Sequence, residues 1–217
     1  LLPELRNVAV GPVVVFGGHE AAIAPSEVCC ADHLEEQLYP TSTWGREYLA
    51  VRSYRRGDEV DIWRVIASQD GTIVTLDPAI VEIPTLDAGD WFELEAEDDF
   101  VISSNNPVMV GQFFVGGTLV SGMGDPSFVL AVPTRQLRTS YVFLAPNKYV
   151  VDFVSIALPQ SATGVLDGQD VFDLAASLPD VVELAQIGGS EYFAIRAPIA
   201  DGFHSLSCSE PCAVMVH

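Results

Sequence analysis

The sequence predicts an all-β protein: two tandem antiparallel β-sandwich-like units with one short helix near the N-terminus. Three observations predict it. Apolar and polar residues alternate in many short runs, as in Asp-Ile-Trp-Arg-Val-Ile-Ala from Asp61 to Ala67. Gly, Asp, Asn and Pro punctuate these runs at the spacing of hairpin turns. One order of runs then occurs twice, which argues for two similar units. Residues 1–45 are expected to supply N-terminal strands, an arm and the helix, packed on the first unit. The first unit is expected over 46–125 and the second over 126–217, with a Gly- and Pro-bearing joint between them.

Val8–Val10 and Val13–Phe16 read as buried strands separated by Gly11-Pro12. Gly17-Gly18 frees the backbone for an arm that starts at His19-Glu20. Asp32 with Glu35 three residues on has the spacing of a capping box. Leu34 and Leu38 are four apart and would share one helix face. Pro40 would end the helix, which is therefore expected over 32–38. Alternation starts after Trp44-Gly45. Tyr48–Val51 reads as a strand, Asp70-Gly71 as a hairpin turn, and Thr72–Leu76 as a β-branched strand. From Gly89-Asp90 onward, Phe92, Leu94 and Ala96 face one way and Trp91, Glu93, Glu95 and Glu97 the other. Val101–Ser103 and Val108–Val115 are expected to bracket a turn at Asn105-Asn106-Pro107.

The second half repeats this order. Tyr141–Leu144 echoes Tyr48, and Asp152–Ala157 echoes Asp61. Asp167-Gly168 echoes the Asp-Gly turn, and Ser190–Phe193 echoes Gly89–Phe92. Ser207-Cys208-Ser209-Glu210-Pro211 echoes Ser103–Pro107.

The chain has 217 residues, 49% of them hydrophobic, enough for a substantial core. No apolar run approaches the ~20 residues that span a bilayer, so no membrane insertion is expected. The net charge is -20, from 30 acids and 10 bases, of which only Lys148 is a lysine. Such a surface repels phosphate backbones and anionic lipid, which excludes nucleic acid as a partner class. It leaves cationic partners or a solvated surface kept from aggregating by its charge.

Cys208 and Cys212 flank Ser-Glu-Pro, a turn-like spacer, and are expected to form a disulfide, which suits an oxidising compartment. Cys29 and Cys30 are adjacent: bridged, reduced and metal-bound states all stay open. His19, Glu20, Cys29, Cys30, Asp32 and His33 are all metal-capable types, but their spacing fits no familiar zinc pattern. The favoured reading is a buried, hydrogen-bonded plug. In it His19, Glu20, Asp32 and His33 satisfy one another, with Trp44 packed nearby, and lock the helix to the sheet. No cofactor is needed on this reading. A calcium site from Asp90, Asp98 and Asp99 is the alternative within the acidic run. No Gly-x-Ser-x-Gly elbow is present and nothing in the sequence points to an enzyme. Gly124-Asp125-Pro126-Ser127 is similar to the Gly-Asp-Pro-His of self-cleaving mucin-type modules. Ser127 stands where that chemistry needs His, and a tight turn is expected there.

Several pieces carry a resemblance. They are Gly18-His19-Glu20, Asp32-His33-Leu34 with Glu36-Gln37-Leu38, and Thr43-Trp44-Gly45. Further on come Val65-Ile66-Ala67 leading to Asp70-Gly71-Thr72, Ser104 with Pro107-Val108, Gly124-Asp125-Pro126, and Gly202 with His204. Together they resemble the N-terminal domain family of the IgG Fc-binding protein, a secreted mucus component with relatives on bacterial surface proteins. The family's usual cysteines, after His-Glu and before Asp-His, are Ala21 and Ala31 here. The resemblance implies a non-catalytic binding or adhesion module, extracellular or on a cell surface, within a longer protein. A protein or glycan ligand, or a neighbouring domain of the same chain, is the implied partner. The Arg-over-Lys bias suits a GC-rich bacterial source. A structural spacer in a long surface protein is the second reading, and a metal-dependent enzyme the third.

Overall fold

The computed structural model describes residues 11–26, 31–57, 59–120 and 124–217. The expected strand at Val8–Val10 and the pair Cys29-Cys30 lie outside them. The fold is all-β, with three antiparallel sheets and one α-helix among the described residues. Two compact units divide the chain. One comprises 1–48, 55–97 and 102–133; the other comprises 49–54, 98–101 and 134–217. In this division 49–54 and 98–101 group with the C-terminal segment, and 126–133, expected in the second unit, groups with the first.

In the first unit, β1 (Phe16–Ala22) and β2 (Asp32–Gln37) form a two-stranded ribbon. The helix expected over 32–38 is therefore strand β2, and the expected buried strand Val13–Phe16 is not one. Val13 and Val14 are exposed at 62% and 64%, and β1 begins only at Phe16. The four-residue spacing of Leu34 and Leu38 misled, because an even spacing also puts both on one strand face. What decides is Gly18, which lies opposite Glu35. A β-carbon there would sit 2.3 Å from the Leu34 carbonyl oxygen. The close approach of two backbones gives β2 a ladder partner, and ladder bonds outweigh weak helix propensity.

The six-stranded sheet of this unit runs β3 (Gly45–Ala50), β7 (Phe100–Phe114), β4 (Asp61–Ala67), β6 (Trp91–Ala96). Two further strands, β5 (Val74–Asp77) and β8 (Ser127–Leu130), also pair with β7. Alternation sets the faces as expected. Trp63, Val65 and Ala67 are almost wholly buried, with Val110 and Leu94 beside them. The expected turn at Asn105–Pro107 is instead continuous strand within β7. Asn105 explains the continuity: its Oδ1 accepts the Ile73 N–H at 2.8 Å, and its Nδ2 donates to the Gly71 carbonyl at 3.1 Å. The side chain thus supplies ladder-like bonds beside a proline that lacks a donor.

In the second unit the sheet order is β12 (Gln169–Asp170), β11 (Gly164–Leu166), β15 (Gly202–Val216), β10 (Asp152–Pro159), β14 (Tyr192–Ile199), β13 (Glu183–Gln186). β9 (Arg138–Ala145) also pairs with β15. Every residue of β10 is buried. One face, with Val154, Ile156 and Leu158, packs under Val171 and Ala175 of helix α1 (Val171–Ser177). The other, with Ala157, packs against Val51, Val101, Ile187 and Ala194. A strand covered on both faces reads as a near-continuous apolar run, which is what Phe153–Leu158 is. The single α-helix of the described residues is α1. Asp170 caps it, accepting the Phe172 and Asp173 N–H groups at 2.9 and 3.1 Å.

The two units carry the same pairings. β3–β7–β4–β6 with β5 on β7 corresponds to β9–β15–β10–β14 with β11 on β15. A tyrosine repeats as well. Gly45 N–H donates to the Tyr48 hydroxyl at 2.9 Å, and that hydroxyl donates to the Val108 carbonyl at 2.6 Å. Arg138 N–H donates to the Tyr141 hydroxyl at 2.9 Å, and that hydroxyl donates to the Cys212 carbonyl at 2.6 Å.

Within the second unit, Arg196 on β14 is fully buried. It pairs with Asp99 and donates from Nε to the Arg52 carbonyl at 2.9 Å. Asp99 also accepts the Arg52 N–H at 2.9 Å, and Glu183 pairs with the Arg52 side chain at 2.6 Å. The segments 49–54 and 98–101 are thus fastened to β14 by charge as well as by apolar packing.

Asp99→Ala strands a buried guanidinium, and loss of one partner of such a pair costs ~3–5 kcal/mol. Urea unfolding should show that drop, whereas Asp32→Ala on the exposed ribbon should stay within ~0.5 kcal/mol. A fragment of residues 134–217 lacks Asp99 and the Arg52 carbonyl. Its near-ultraviolet circular dichroism should show no fixed tertiary structure.

Candidate functional site

The expected plug residues are not buried. His19 and Glu20 are exposed on β1, and Asp32 and His33 on β2. Their bonds are local. His19 Nδ1 accepts the Ala21 N–H at 3.1 Å, Asp32 Oδ1 accepts the His33 N–H at 2.7 Å, and His33 Nε2 lies 3.3 Å from Glu35. Trp44 is half-buried, and its indole N–H donates to the Tyr39 carbonyl at 2.9 Å. A two-stranded ribbon has too little cover to bury several polar groups, and these stay exposed.

The calcium alternative finds its carboxylates engaged elsewhere. Asp90 Oδ2 accepts the Asp87 N–H at 3.0 Å, Asp99 is taken by Arg196, and Asp98 is exposed. No group of three or more His, Cys, Asp or Glu converges to hold a metal among the described residues. Cys208 and Cys212 are joined, with Cα atoms 6.5 Å apart. The bond clips an irregularity in β15, where pairing with β9 shifts register between Ser207 and Cys212.

The first unit carries an aromatic ladder on the outer face of its sheet. Phe128 stacks on Phe113 at 4.4 Å. The Arg64 guanidinium lies 4.9 Å from the Phe113 ring centre and 4.7 Å from that of Trp91. Arg64 also pairs with Glu93. Gly111 makes room, since a β-carbon there would meet the Phe128 ring at 2.6 Å. Trp91 is the open end rung, 42% exposed.

A more exposed surface lies on the second unit, on the sheet face of β9 and β15 turned away from the core. Alternation divides each strand. Tyr141 and Phe143 of β9, and His204 and Leu206 of β15, point into the core side. Val142, Leu144 and Phe203 point out and are exposed at 77%, 53% and 82%. Phe203 lies opposite Leu144, and Val142 opposite Ser205. Val165 of β11, opposite Ser207, extends the apolar surface. Past β9 the chain stays open, with Tyr149 and Val150 exposed. Scattered exposed apolar residues are ordinary, whereas these lie side by side on one sheet face.

Beneath this face sits His204, mostly buried. Its Nδ1 lies 2.6 Å from Asp167 Oδ2 and its Nε2 2.7 Å from the Ala200 carbonyl oxygen. Asp167 Oδ1 accepts the Ser205 N–H at 2.8 Å. The hydrogen bond to Asp167 raises the His204 pKa above its ordinary 6.5, against the opposing effect of burial. Burial pushes the Asp167 carboxyl up, but the bonds from His204 and the Ser205 N–H outweigh it and leave its pKa lowered. Gly202 and His204 carry part of the family resemblance, but their sequence context assigns them no role. The available signal was Asp167-Gly168, a turn dipeptide whose aspartate needs a partner.

The sequence profile described as IgGFc binding protein matches residues 7–217. A human protein named IgGFc-binding protein is 27% identical over 199 residues, covering 91% of this chain and 4% of that protein. The chain therefore spans only a small part of that relative. No solved structure matches. With the profile covering nearly its whole length, this chain belongs to the IgGFc-binding protein family.

Proposed function

We propose that this chain is a non-catalytic protein-binding module of a larger secreted or cell-surface protein, and that it contacts its ligand through the open β9–β15 face. The observation that carries the reading is the side-by-side exposure of Val142, Leu144 and Phe203 on one regular sheet surface. Keeping such a patch in water forgoes ~25 cal/mol per Å² of apolar area, and a partner would recover it. The human relative is by name an IgGFc-binding protein, and protein recognition is the property extended here. The matching pairings of the two units support a tandem duplication in which only the second copy keeps this face open. The acidic surface, at net charge -20, favours basic over acidic partners and speeds their encounter.

A glycan is the second reading, and Trp91 favours it. Its half-open indole, steadied by Arg64 and flanked by Glu93, offers the flat apolar surface and polar neighbours that orient a small ligand. The two readings separate by substitution. In a screen of IgG Fc fragments, secreted matrix proteins and a glycan array, the retained ligand should be a protein. Phe203→Ser should weaken its binding at least tenfold, ~1.4 kcal/mol, as expected for a central aromatic anchor. Binding that survives Phe203→Ser but is lost in Trp91→Ala would move the site to the ladder.

A further inference from the structure

We infer that His204 is a doubly protonated pin beneath the β9–β15 face, and that the face is held in register while the pin is charged and loosens when it is not. This rests on the assignment of that face as the contact surface. Donors and acceptors around the ring require both protons. His204 Nδ1 faces a carboxylate oxygen of Asp167, and Nε2 faces the carbonyl oxygen of Ala200. A carbonyl cannot donate, and an ionised carboxylate only accepts. Both ring nitrogens must therefore carry protons. A neutral imidazole has one N–H, so it would leave a lone pair against an oxygen 2.6 or 2.7 Å away.

The surroundings favour the charged form. Asp167 faces the ring from the β11–β12 turn, and the charge of Asp152, at the start of β10, acts on it in the same sense. From β9 the facing group is the uncharged Phe143 ring, stacked at 5.5 Å. The raised His204 pKa agrees with this arrangement.

The pin joins pieces that define the open face. Asp167 has φ 51° and Gly168 φ 88°, a left-handed pair that makes the tight β11–β12 turn. Asp167 is the one residue of that pair with a side chain to strain, and its bonds to His204 and to the Ser205 N–H hold it there. His204 lies between Phe203 and Ser205, whose cross-strand partners are Leu144 and Val142. Loss of the proton breaks one of two bonds at the point where β15 starts.

The sign follows from linkage. A pKa raised on folding contributes stability that is complete below the ordinary value of 6.5 and is lost as pH rises through the folded value. A lowered carboxyl contributes above its ordinary value of 3.8 and is lost as pH falls through the folded one. The pin is closed between these limits and opens on the alkaline side.

The test uses the whole chain without a ligand. Imidazole ¹⁵N shifts at pH 5.5 should show both His204 nitrogens protonated. Between pH 5.5 and 8.5, amide exchange at 203–207 and 166–170, corrected for its chemical pH dependence, should accelerate at least tenfold. The Val142 and Leu144 methyl shifts should move over the same range. His204→Gln should abolish the pH dependence, as should Asp167→Asn, which keeps the turn geometry. A neutral His204 at pH 5.5, corrected exchange that does not change with pH, or an unchanged pH dependence in Asp167→Asn would each overturn the inference. These readouts need no partner. A negative binding screen with a positive exchange result would remove the ligand assignment and leave the pin.

Discussion

The second unit depends on a guanidinium with no access to water. Arg196 is enclosed within the core, where an unpaired charge costs several kcal/mol. Its position is tolerable only because Asp99 and the Arg52 carbonyl are brought to it, with Glu183 3.8 Å from its Nη1. Asp99 and the Arg52 carbonyl lie far away in sequence. The apolar contacts of Val51 and Val101 with Ala157 and Ala194 would by themselves accept several registers. The charge fixes one, since a shift of one residue would put Arg196 on the opposite face of β14.

β10 shows the same economy from the apolar side. A strand buried on both faces needs cover from two directions. Helix α1 gives one and the segments at 49–54 and 98–101 give the other. In the first unit the corresponding strand, β4, keeps one face partly open, and Arg64 fills it by lying between aromatic rings. The same pairing order therefore serves two different surfaces. The tyrosine hydroxyl that joins the first pairing strand to the long strand is common to both. The Cys208–Cys212 bond is local by comparison. It closes a loop of a few residues, removes little freedom from the unfolded chain, and acts on the shape of one strand.

Alternation was legible in strands whose wet face is polar. β6 could be read residue by residue, because its polar and apolar positions follow the period of two, and in β4 the buried face of Trp63, Val65 and Ala67 could be read the same way. The reading failed where spacing was degenerate. Leu34 and Leu38 suit either period, and only the close backbone approach at Gly18 decides between them. It failed again where a side chain replaced a backbone bond, as Asn105 does beside Pro107. Helix α1 was missed although Asp170, with Asp173 three residues on, carried a capping signal; seven residues give too short a pattern to stand out. β9 was legible as a strand, but Tyr141–Ala145 is apolar throughout, so its exposed positions Val142 and Leu144 and their cross-strand neighbour Phe203 were not, since register and facing are properties of the folded sheet. The role of His204 was hidden for the same reason. A histidine declares its protonation only when the atoms facing both nitrogens are known.

The discontinuity of the second unit bears on how the chain is made. Asp99 and Arg196 are 97 residues apart, and the Arg52 carbonyl is 144 residues from the guanidinium it accepts from. During synthesis, 49–54 and 98–101 emerge long before β14 exists to receive them. Val51 and Val101 must wait in water, and contacts of such long range form slowly. A nascent chain in that state is exposed to aggregation. The 30 carboxylates spread along this sequence give the waiting chain a like-charge repulsion that its finished core does not need. On this view the acidity of the protein is as much a provision for the time before Arg196 arrives as a property of the surface that remains afterwards.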